Sequence, residues 1–505
     1  METLHPGLYL QEVPGENPIE GVSTSTGAFV GVTERGPVGK SGFVTSWKDF
    51  QNQYGGYVEN SYLPYAVRGF FENGGVRAFI SRAVHYKNQD GALVKTSAKA
   101  SHEVKVTVNK EVNVGTPELP QMELRDVEEV AGVFDAYSDG KWGNDVEVRI
   151  TAGKEPKHLT VTVYEDSTFI EKFENVPLAE LDDTINSASK TIQYTAIDEE
   201  LEIKPVNFKL AGGLDGVDEL TSTDYIGDEK LQNGLYAFEN DAINIVAIPG
   251  ITDTATHNGI TTYVEKRGDC TAIIEAPFGL KPLEAVEYAN VTANIASKRV
   301  AIFYSWIQVS DPIGLGKNPT KYIPPSGHIM GISARTDNTR GVWKAPAGLE
   351  AVVRGAIGLE YNVNDAEQDM MNPEGVNAIR AFDGEGIIVW GSRTRSSASE
   401  WKYISVRRSA DYVAQSILAG TRWAVFEPND QVLWGKITNV ASAFLRGYWR
   451  AGGLRGETEK EAFFVECNST TTTPDDIDVG KLFCNIGICP QKPAEFIIFR
   501  LSLMK

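Results

Sequence analysis

The sequence predicts an α/β protein whose layered sheet carries flanking helices, with a β-rich insertion in the core and an extended arm at each end. Three observations support this fold class. Short apolar strands alternate with helical segments over most of the chain, as in sheets that are covered by helices. Polar turns and short strands replace this pattern between about residues 90 and 215. Prolines and glycines punctuate extended segments at both ends.

The size and composition of the chain limit its class and environment. Its 505 residues exceed one ordinary hydrophobic core, so roughly two to four domains are expected. No apolar run reaches the roughly 18 residues of a membrane span, and the N-terminus lacks the features of a signal peptide, which favours assembly in a cytoplasm. The cysteines form no CxxC pair and are interpreted as structural thiols rather than metal ligands: Cys270, Cys467, Cys484 and Cys489.

Charge is distributed unevenly along the chain. Residues 101–240 contain 30 acidic and 12 basic residues, which accounts for most of the net charge of −20. Residues 380–460 contain 12 basic and 8 acidic residues. This balance disfavours nucleic-acid binding. It favours an acidic domain facing solvent and a mildly basic face against an acidic partner.

The two ends are predicted to be arms, residues 1–26 and 491–505. In the first, Ile19 and Val22 belong to a thin alternation that suits an exposed or borrowed strand edge. The second is strongly β-forming and includes Phe496, Ile497, Ile498, Phe499 and Leu501. An apolar strand at a chain end needs a partner. Either the chain's own sheet or, by β-augmentation, a neighbour's sheet would provide one.

Between the arms we predict a discontinuous α/β core, residues 27–89 plus 216–490, with a C-terminal subdomain from about residue 373. Its predicted strands are Ala28–Val32, Val76–Val84, Ile243–Ile248, Asp269–Ile274, Val300–Tyr304, Gly386–Trp390, Trp401–Val406, Trp423–Phe426, Phe463–Cys467 and Leu482–Ile488. Its predicted helices are Ser46–Tyr54, Tyr62–Asn73, Leu231–Glu239, Arg408–Ala419 and Asp430–Arg450.

The acidic insertion, residues 90–215, is predicted to form an outer β-rich domain because helix signals are few. Its predicted strands are Val104–Val108, Val146–Thr151, Leu159–Tyr164, Phe169–Phe173 and Leu201–Ile203.

Two groups of polar residues are candidate contact sites. A predicted loop carries Arg335, Asp337, Arg340 and Lys344. It would form an inter-subunit contact, a buried ion network, or a loop tied by local hydrogen bonds. The long helix carries Lys436, Arg446 and Arg450, for which a solvated face is the simplest interpretation.

Several fragments resemble catalytic motifs without completing them. The Gly314-x-Gly316-Lys317 run lacks the first glycine and the Ser/Thr of a phosphate loop. Asp253, His257 and Ser326 are the residue types of a hydrolase triad, but Ser326 lacks the context of a nucleophile turn. The Asp475–Asp478 run lacks the glycine and distal glutamate of a calcium loop and favours a helix start or a solvated turn. We therefore expect no catalytic residue, no metal site and no cofactor.

The chain resembles the contractile phage tail sheath proteins, which also occur in R-type bacteriocins and extracellular contractile injection systems. The matching segments are spread over most of the chain: His5–Tyr9, Gly21–Thr26, Phe29–Gly31, Phe70–Gly75, Lys141–Asp145, Ile245–Gly250, Pro324–Pro346, Asn377–Arg380, Val389–Gly391, Val406–Arg408, Phe426–Asn429 and Pro493–Phe496. Their number and order carry the resemblance, which is weakest in the insertion.

The resemblance implies a structural protein rather than an enzyme. It implies a subtilisin-like core sheet without protease function, and hexameric rings stacked helically around an inner tail tube. Baseplate and tail terminator proteins would be further partners, with no direct contact to nucleic acid or membrane. Terminal arms would add strands to neighbouring subunits, while contraction from a metastable state would drive the tube through a target envelope. A degenerate subtilisin-like hydrolase is the alternative.

Within this expectation, the strand arms would join subunits through Ile19, Val22, Phe496, Ile497, Ile498, Phe499 and Leu501. Lys436, Arg446 and Arg450 are assigned to the tube-facing surface, because the tube contact must be weak enough to slip and exposed charge pairs are weak. The particle would be a virion tail or a phage-tail-like particle.

Overall fold

The computed structural model describes residues 18–114, 121–198 and 200–498. Its strands, in chain order, are β1 (Gly27–Gly31), β2 (Ser41–Val44), β3 (Ala78–Arg82), β4 (Tyr86–Gln89), β5 (Ala92–Lys95), β6 (Ser101–Asn113), β7 (Met122–Ala136), β8 (Val146–Ala152), β9 (His158–Glu165), β10 (Thr168–Pro177), β11 (Ile192–Ala196), β12 (Val206–Lys209), β13 (Ile245–Ala247), β14 (Thr271–Glu275), β15 (Val300–Tyr304), β16 (Ile307–Ser310), β17 (Thr320–Ile323), β18 (Gly358–Leu359), β19 (Val376–Phe382), β20 (Gly386–Val389), β21 (Phe463–Glu466) and β22 (Asn485–Ile488).

The α-helices of the same ranges are α1 (Trp47–Tyr54), α2 (Leu63–Glu72), α3 (Leu181–Ala188), α4 (Ser222–Ile226), α5 (Thr254–Arg267), α6 (Pro282–Glu287), α7 (Ser326–Arg340), α8 (Asp365–Met371), α9 (Ile404–Gly420), α10 (Gln431–Arg450), α11 (Glu459–Ala462) and α12 (Pro474–Asp478). The predicted mixed α/β class is therefore confirmed.

The largest sheet in the described residues has the order β2-β3-β1-β13-β14-β15-β19-β20. Its inner pairs, from β3 to β19, are parallel. The edge strands β2 and β20 pair antiparallel. Parallel strands need crossover connections, and the helices between them provide these. The whole insertion lies within one such connection, between β3 and β13.

Apolar side chains bury both faces of this sheet. Along β1, Ala28 and Val30 pack with α5, whereas Phe29 packs with α2 and α7. This arrangement explains why the parallel strands read as continuous apolar runs rather than as alternating patterns.

Glycines bring α2 and α7 into very close contact. A Cβ atom added at Gly327 would lie 2.1 Å from the Ala66 carbonyl oxygen, and one at Gly331 would lie 2.4 Å from that of Phe70. Only glycine allows the two backbones to approach this closely. The pair forms one thick layer on the face of the sheet opposite α5.

The insertion has sheets and an apolar core of its own. The sheets have the orders β10-β9-β8-β12 and β11-β7-β6, and α3 packs with them through Leu181 and Ile185. The predicted strand Leu201–Ile203 is wrong, since these residues form no ladder, and Val206–Lys209 pairs with β8 instead. The prediction missed β7 and β11. The solvent-facing acidic residues of β7 conceal its apolar face.

Two predicted strands of the C-terminal part are also wrong. Trp401–Val406 contains a short turn and the start of α9. Ile404 and Val406 are helical although their β-branched shape disfavours a helix, because both are buried by tertiary packing. Trp423–Phe426 follows the end of α9 without strand pairing, and Phe426 has a φ of 71°. Helix α10 begins after Asp430, whose carboxylate accepts hydrogen bonds from the Val432 and Leu433 N–H groups.

Candidate functional site

The C-terminal segment leaves the body of the chain at an ion-pair anchor. The carboxylate of Glu495 accepts hydrogen bonds from both Nε and Nη2 of Arg393, with 2.8 Å for the Nε contact. Tyr403 Oη donates to the same carboxylate at 3.0 Å, and Lys402 Nζ lies 3.5 Å away. Burial alone would raise the pKa of Glu495, but Arg393, together with Tyr403 and Lys402, outweighs burial and holds the pKa below its usual value.

Hydrogen bonds to Asn377 and Asn372 fix the position of Arg393. The buried Asn377 amide donates to the Arg393 carbonyl and accepts from its N–H group, at 2.9 and 2.7 Å. Arg393 Nη1 donates to the Asn372 carbonyl at 2.7 Å. Because its backbone and its guanidinium are both fixed, Arg393 holds Glu495 in one place.

Beyond the anchor, the chain exposes a row of apolar side chains. Phe496, Ile497 and Ile498 are 71%, 73% and 80% exposed, and residues 489–498 include no strand. Such a row is a typical association site. Next to it lies a groove of about 860 Å³, whose lining includes Trp343, Lys344, Trp390 and the segment 491–497 itself. Phe499 and Leu501 lie outside the described residues.

The start of the described chain lies against the chain's own helix α9. The side chain of Ile19 contacts Gly420, and the Val22 N–H donates to Ser416 Oγ at 3.1 Å. Residues 18–26 are extended but pair with no strand. The structure therefore places these two residues in an intramolecular contact, and their predicted role between subunits remains a prediction.

The polar group predicted as a loop is mostly helical, so the loop assignment is wrong. Arg335, Asp337 and Arg340 lie on α7, and Lys344 lies in the turn that follows it. The α7 helix has no apolar stripe along a single face, because nearly all its sides are buried. For this reason its helical period is hidden in the sequence.

Asp337 forms a buried ion pair with Arg408 of α9. The two side chains are 2% and 4% exposed, and their contacts measure 2.5 and 3.1 Å. Burial raises the pKa of Asp337, although Arg408 opposes this shift. Arg408 Nη2 also donates to the Thr24 carbonyl at 2.9 Å. One guanidinium thus connects α7, α9 and the N-terminal segment.

The other three polar residues make contacts that are distant in sequence for Arg335 and local for Arg340 and Lys344. Arg335 donates to the carbonyls of Asn73 and Val352, at 3.1 and 2.8 Å. Arg340 pairs with Glu350, and Lys344 donates to the Ala345 carbonyl at 3.0 Å. A buried ion pair therefore describes Asp337, and local contacts describe Arg340 and Lys344. Arg335 instead binds a distant segment, and the inter-subunit contact stays a prediction.

The three basic residues of α10 differ in their surroundings. Lys436 is exposed and makes no ion pair with any residue that the structure describes, and Arg450 is also exposed. Arg446 binds Glu459 through two contacts of 2.8 and 2.9 Å. The basic excess of residues 380–460 therefore overstates the positive surface charge, because several of its arginines are paired or buried. Sequence reasoning missed one such cluster, in which Asp411 pairs with both Arg299 and Arg407.

The residues of the incomplete hydrolase triad are separated by the central sheet. His257 belongs to α5 on one face, and Ser326 begins α7 on the other. His257 Nδ1 bonds with the Tyr288 hydroxyl at 2.7 Å, and burial lowers its pKa to about 4. Asp253 caps α5 and accepts from Thr256 Oγ1 at 2.6 Å. No hydrogen bond between described residues joins these three side chains.

A buried carboxyl that the sequence analysis missed lies near Ser326. Glu275, at the end of β14, is 1% exposed, and its Oε1 accepts a hydrogen bond from the Gly250 N–H at 2.5 Å. Burial raises the pKa of Glu275 to about 8, against a smaller lowering by the Gly250 N–H and the nearby Ser326 hydroxyl. Its sequence context, an apolar strand followed by a proline two residues later, gave no distinctive signal.

The remaining motif fragments have plain structural roles. Gly314, Gly316 and Lys317 lie in an exposed loop between β16 and β17, not between a strand and a helix. Asp476 closes the capping box of α12, so the predicted helix start is confirmed. No group of three or more metal-ligating side chains is positioned for an ion within residues 18–114, 121–198 and 200–498. Over these ranges, no helix is both long and apolar enough to cross a membrane.

Comparisons of sequence give one consistent result. Residues 224–395 match the model of the phage tail sheath protein central domain, and residues 396–503 match that of the phage tail sheath C-terminal domain. The tail sheath protein of Vibrio phage KVP40 is 25% identical over 62% of this chain and 48% of its own length. That of Enterobacteria phage T4 is 23% identical over 49% of this chain and 38% of its own length. The chain thus spans half or less of these relatives.

Comparisons of structure agree. The helical sheath of the anti-feeding prophage in its contracted state matches with a TM-score of 0.58 and 22% identity, covering 99% of both chains. The sheath tail protein from Listeria innocua matches with a TM-score of 0.60 and 12% identity, covering 93% of this chain and 96% of its own.

Proposed function

Because the chain belongs to the phage tail sheath family, we propose that it is the structural subunit of a contractile tail sheath. The subunit polymerises around an inner tube and contracts from a metastable extended state, which drives the tube through a target envelope. The observation that carries the proposal is the exposed apolar row Phe496–Ile498 directly after the Arg393–Glu495 anchor.

The C-terminal row belongs in a neighbouring subunit's sheet. Burying a large apolar side chain contributes about 1.5–3 kcal/mol, so Phe496, Ile497 and Ile498 together contribute roughly 5 kcal/mol. Backbone hydrogen bonds of an added strand contribute about 1 kcal/mol each. The anchor fixes where the strand leaves, and the exchanged strand keeps neighbours joined while the subunits rotate. The prolines before Glu495 provide a joint for that rotation.

The proposed domain division is supported by the separate apolar core of the insertion. The acidic insertion, residues 90–215, has its own core and faces outward. The discontinuous part, residues 27–89 plus 216–490, carries the parallel sheet with helices on both faces, which supports a subtilisin-like core. The arms are residues 1–26 and 491–505. Hexameric rings of these subunits stack helically in a virion tail or phage-tail-like particle that is assembled in the host cytoplasm.

The tube-facing surface is proposed to use Lys436 and Arg450, with a smaller part for Arg446 because Glu459 already pairs with it. Exposed charge pairs are worth about 0–1 kcal/mol, weak enough for the tube to slide. The inner tube, the baseplate and the terminator are the proposed partners, without direct contact to nucleic acid or membrane.

A non-enzymatic role fits the site geometry better than a degenerate hydrolase does. Asp253 and His257 belong to α5, across the sheet from Ser326, and they bond with Thr256 and Tyr288 rather than with the serine. A covalent serine-hydrolase probe that labelled Ser326 would favour the hydrolase instead.

The decisive experiment compares the full chain with a variant that lacks residues 495–505. We expect the full chain to form hollow cylinders in negative-stain images. The truncated chain should be folded, as judged by circular dichroism and a cooperative melt, but monomeric. Loss of the fold itself would show that the segment belongs to the chain's own core, and cylinders from the truncated chain would overturn the exchange.

A second experiment tests the tube-facing surface. Reversal of Lys436 and Arg450 to glutamate should weaken co-assembly with the tube protein and leave sheath-only cylinders intact. The matched control reverses Arg455, an exposed arginine outside α10. If co-assembly were unchanged, Lys436 and Arg450 would not be part of the tube-facing surface.

A further inference from the structure

Two cysteines lie directly opposite each other at the loop end of the β21–β22 hairpin. The ladder pairs Glu466 with Asn485, so continuing its register by one residue pairs Cys467 with Cys484. Cys467 is buried, Cys484 is half-buried, and both are free thiols. They continue the face of the hairpin that packs against α10.

The hydrogen-bond pattern places the two cysteines at a position where side chains are closest. Cys489 N–H donates to the Ala462 carbonyl at 2.9 Å, which fixes the alternation of the antiparallel ladder. Counting along that alternation makes Cys467–Cys484 a non-hydrogen-bonded pair. Such pairs have Cα atoms about 4.5 Å apart, inside the range of roughly 4.4–6.8 Å that a disulfide requires.

The two thiols also interact with each other. Burial, followed by the charge and hydrogen bonding of Cys467, raises the pKa of Cys484 to about 12. Burial likewise raises the pKa of Cys467, and Cys484 moderates the shift. Cys489 does not share this environment: it is on the other face of β22, with its sulfur 3.5 Å from Arg455 Nη2.

We propose that Cys467 and Cys484 are a disulfide-forming pair, which closes when the chain meets a disulfide oxidant such as oxidised glutathione. The more exposed Cys484 loses its proton and attacks the oxidant, which forms a mixed disulfide and releases one glutathione. Cys467 then loses its proton and attacks the Cys484 sulfur, releasing the second glutathione. Two electrons pass from the protein sulfurs to the oxidant, and the two protons end on the two glutathione thiols.

The cross-link would limit how far the hairpin can extend. The hairpin connects the C-terminal body to the arm, and its full unfolding between Phe463 and Cys489 would release about 90 Å of chain at roughly 3.5 Å per residue. A path through the disulfide skips the loop 468–483 and spans about 35 Å by the same measure. Oxidation therefore shortens the tether between body and arm without changing the folded hairpin.

The test uses peptide mapping of the full chain. The protein is incubated with oxidised glutathione, alkylated and digested with trypsin without reduction. Trypsin cleaves after Lys481, between the two cysteines, so their peptides separate unless they are cross-linked. We expect one linked species that joins Glu461–Lys481 to the peptide beginning at Leu482. The rate should rise about tenfold per pH unit between pH 7 and pH 9, since the attacking Cys484 thiol, with its pKa raised to about 12, is mostly protonated there.

Matched variants identify the sulfurs. Cys489→Ala should still form the linked species, whereas Cys484→Ala and Cys484→Ser should not, with circular dichroism to show that both are folded. A link through Cys489, dimers joined between chains, or complete alkylation of Cys467 and Cys484 after oxidation would each overturn the proposal. Protection of both thiols by added zinc without a disulfide would overturn it as well.

Discussion

Replacing Glu495 with glutamine tests whether the anchor directs the C-terminal arm. The substitution keeps the shape of the side chain but removes the charge that Arg393 binds through two contacts. Arg393 is only 7% exposed, so its guanidinium is left with its Asn372 contact and without a counter-ion. Hydrogen bonds to charged groups are worth about 1.5–3 kcal/mol each, and breaking a buried pair costs about 3–5 kcal/mol. A loss of about 3 kcal/mol is therefore expected.

The loss should appear in assembly and, because Arg393 stays buried without its counter-ion, also as a lower melting temperature of the monomer. If the free energy needed to orient the arm rises by about 3 kcal/mol, the concentration needed for polymerisation rises roughly 100-fold, at 1.4 kcal/mol per factor of ten. Sedimentation of polymer across a concentration series measures that threshold, and negative-stain images identify the product. Glu385→Gln is the matched control, because Glu385 is exposed and its carboxylate has no partner among the described residues.

The outcome distinguishes two explanations. A raised threshold at a temperature where the variant monomer is still folded supports an anchor that aims the arm. An unchanged threshold for Glu495→Gln would refute that role, even if truncation of the arm abolished assembly. A lowered melting temperature with an unchanged threshold would assign Glu495 to the stability of the chain's own body alone.

Three further substitutions test the body of the subunit. Arg408→Ala should lower the free energy of unfolding by about 4 kcal/mol in urea titrations, because it leaves the buried Asp337 carboxylate unpaired; a loss below about 1 kcal/mol would contradict the pairing. Glu275→Gln should remove a pH dependence of the free energy of unfolding. The raised pKa of Glu275 stabilises the fold fully below pH 4.5, and this stabilisation is lost as the pH rises toward about 8. The loss is about 3 kcal/mol between pH 5 and pH 7. Parallel melting curves of variant and wild type over that window would refute the buried carboxyl. Gly327→Ala should separate α2 from α7 and lower the melting temperature. Gly447→Ala on α10 is the control: an added Cβ meets nothing within 4 Å there, so this change should raise stability by up to about 1 kcal/mol. Equal effects of the two variants would contradict the close contact.

Local signals made part of the fold predictable. The strand Val300–Tyr304 is reproduced residue for residue, since a run of buried β-formers has no competing pattern. The start of α1 was also predictable: the predicted helix begins at Ser46, whose hydroxyl accepts a hydrogen bond from the Asp49 N–H and caps the helix. These features depend on neighbours in sequence, so one amino-acid sequence is enough to predict them.

Features that depend on distant neighbours were not predictable. Arg393 and Glu495 are far apart in sequence, and nothing local marks either as one half of an anchor. Arg335 and Asp337 looked like loop residues because α7 is buried on most sides and shows no apolar stripe. The sequence showed Phe496–Ile498 as an apolar end, but it did not show that Arg393 holds the preceding residue, Glu495.

The close contact between α2 and α7 has a mechanical consequence. Where two helices meet through side chains, rotamer changes let them slide by small steps. Here backbone meets backbone at Gly327 and Gly331, and no side chain lies between them to adjust. The end of α7 is in turn held to α9 by the Asp337–Arg408 pair. A torque applied to either end of this chain of contacts would be transmitted rather than absorbed, so α2, α7 and α9 would move as one rigid unit.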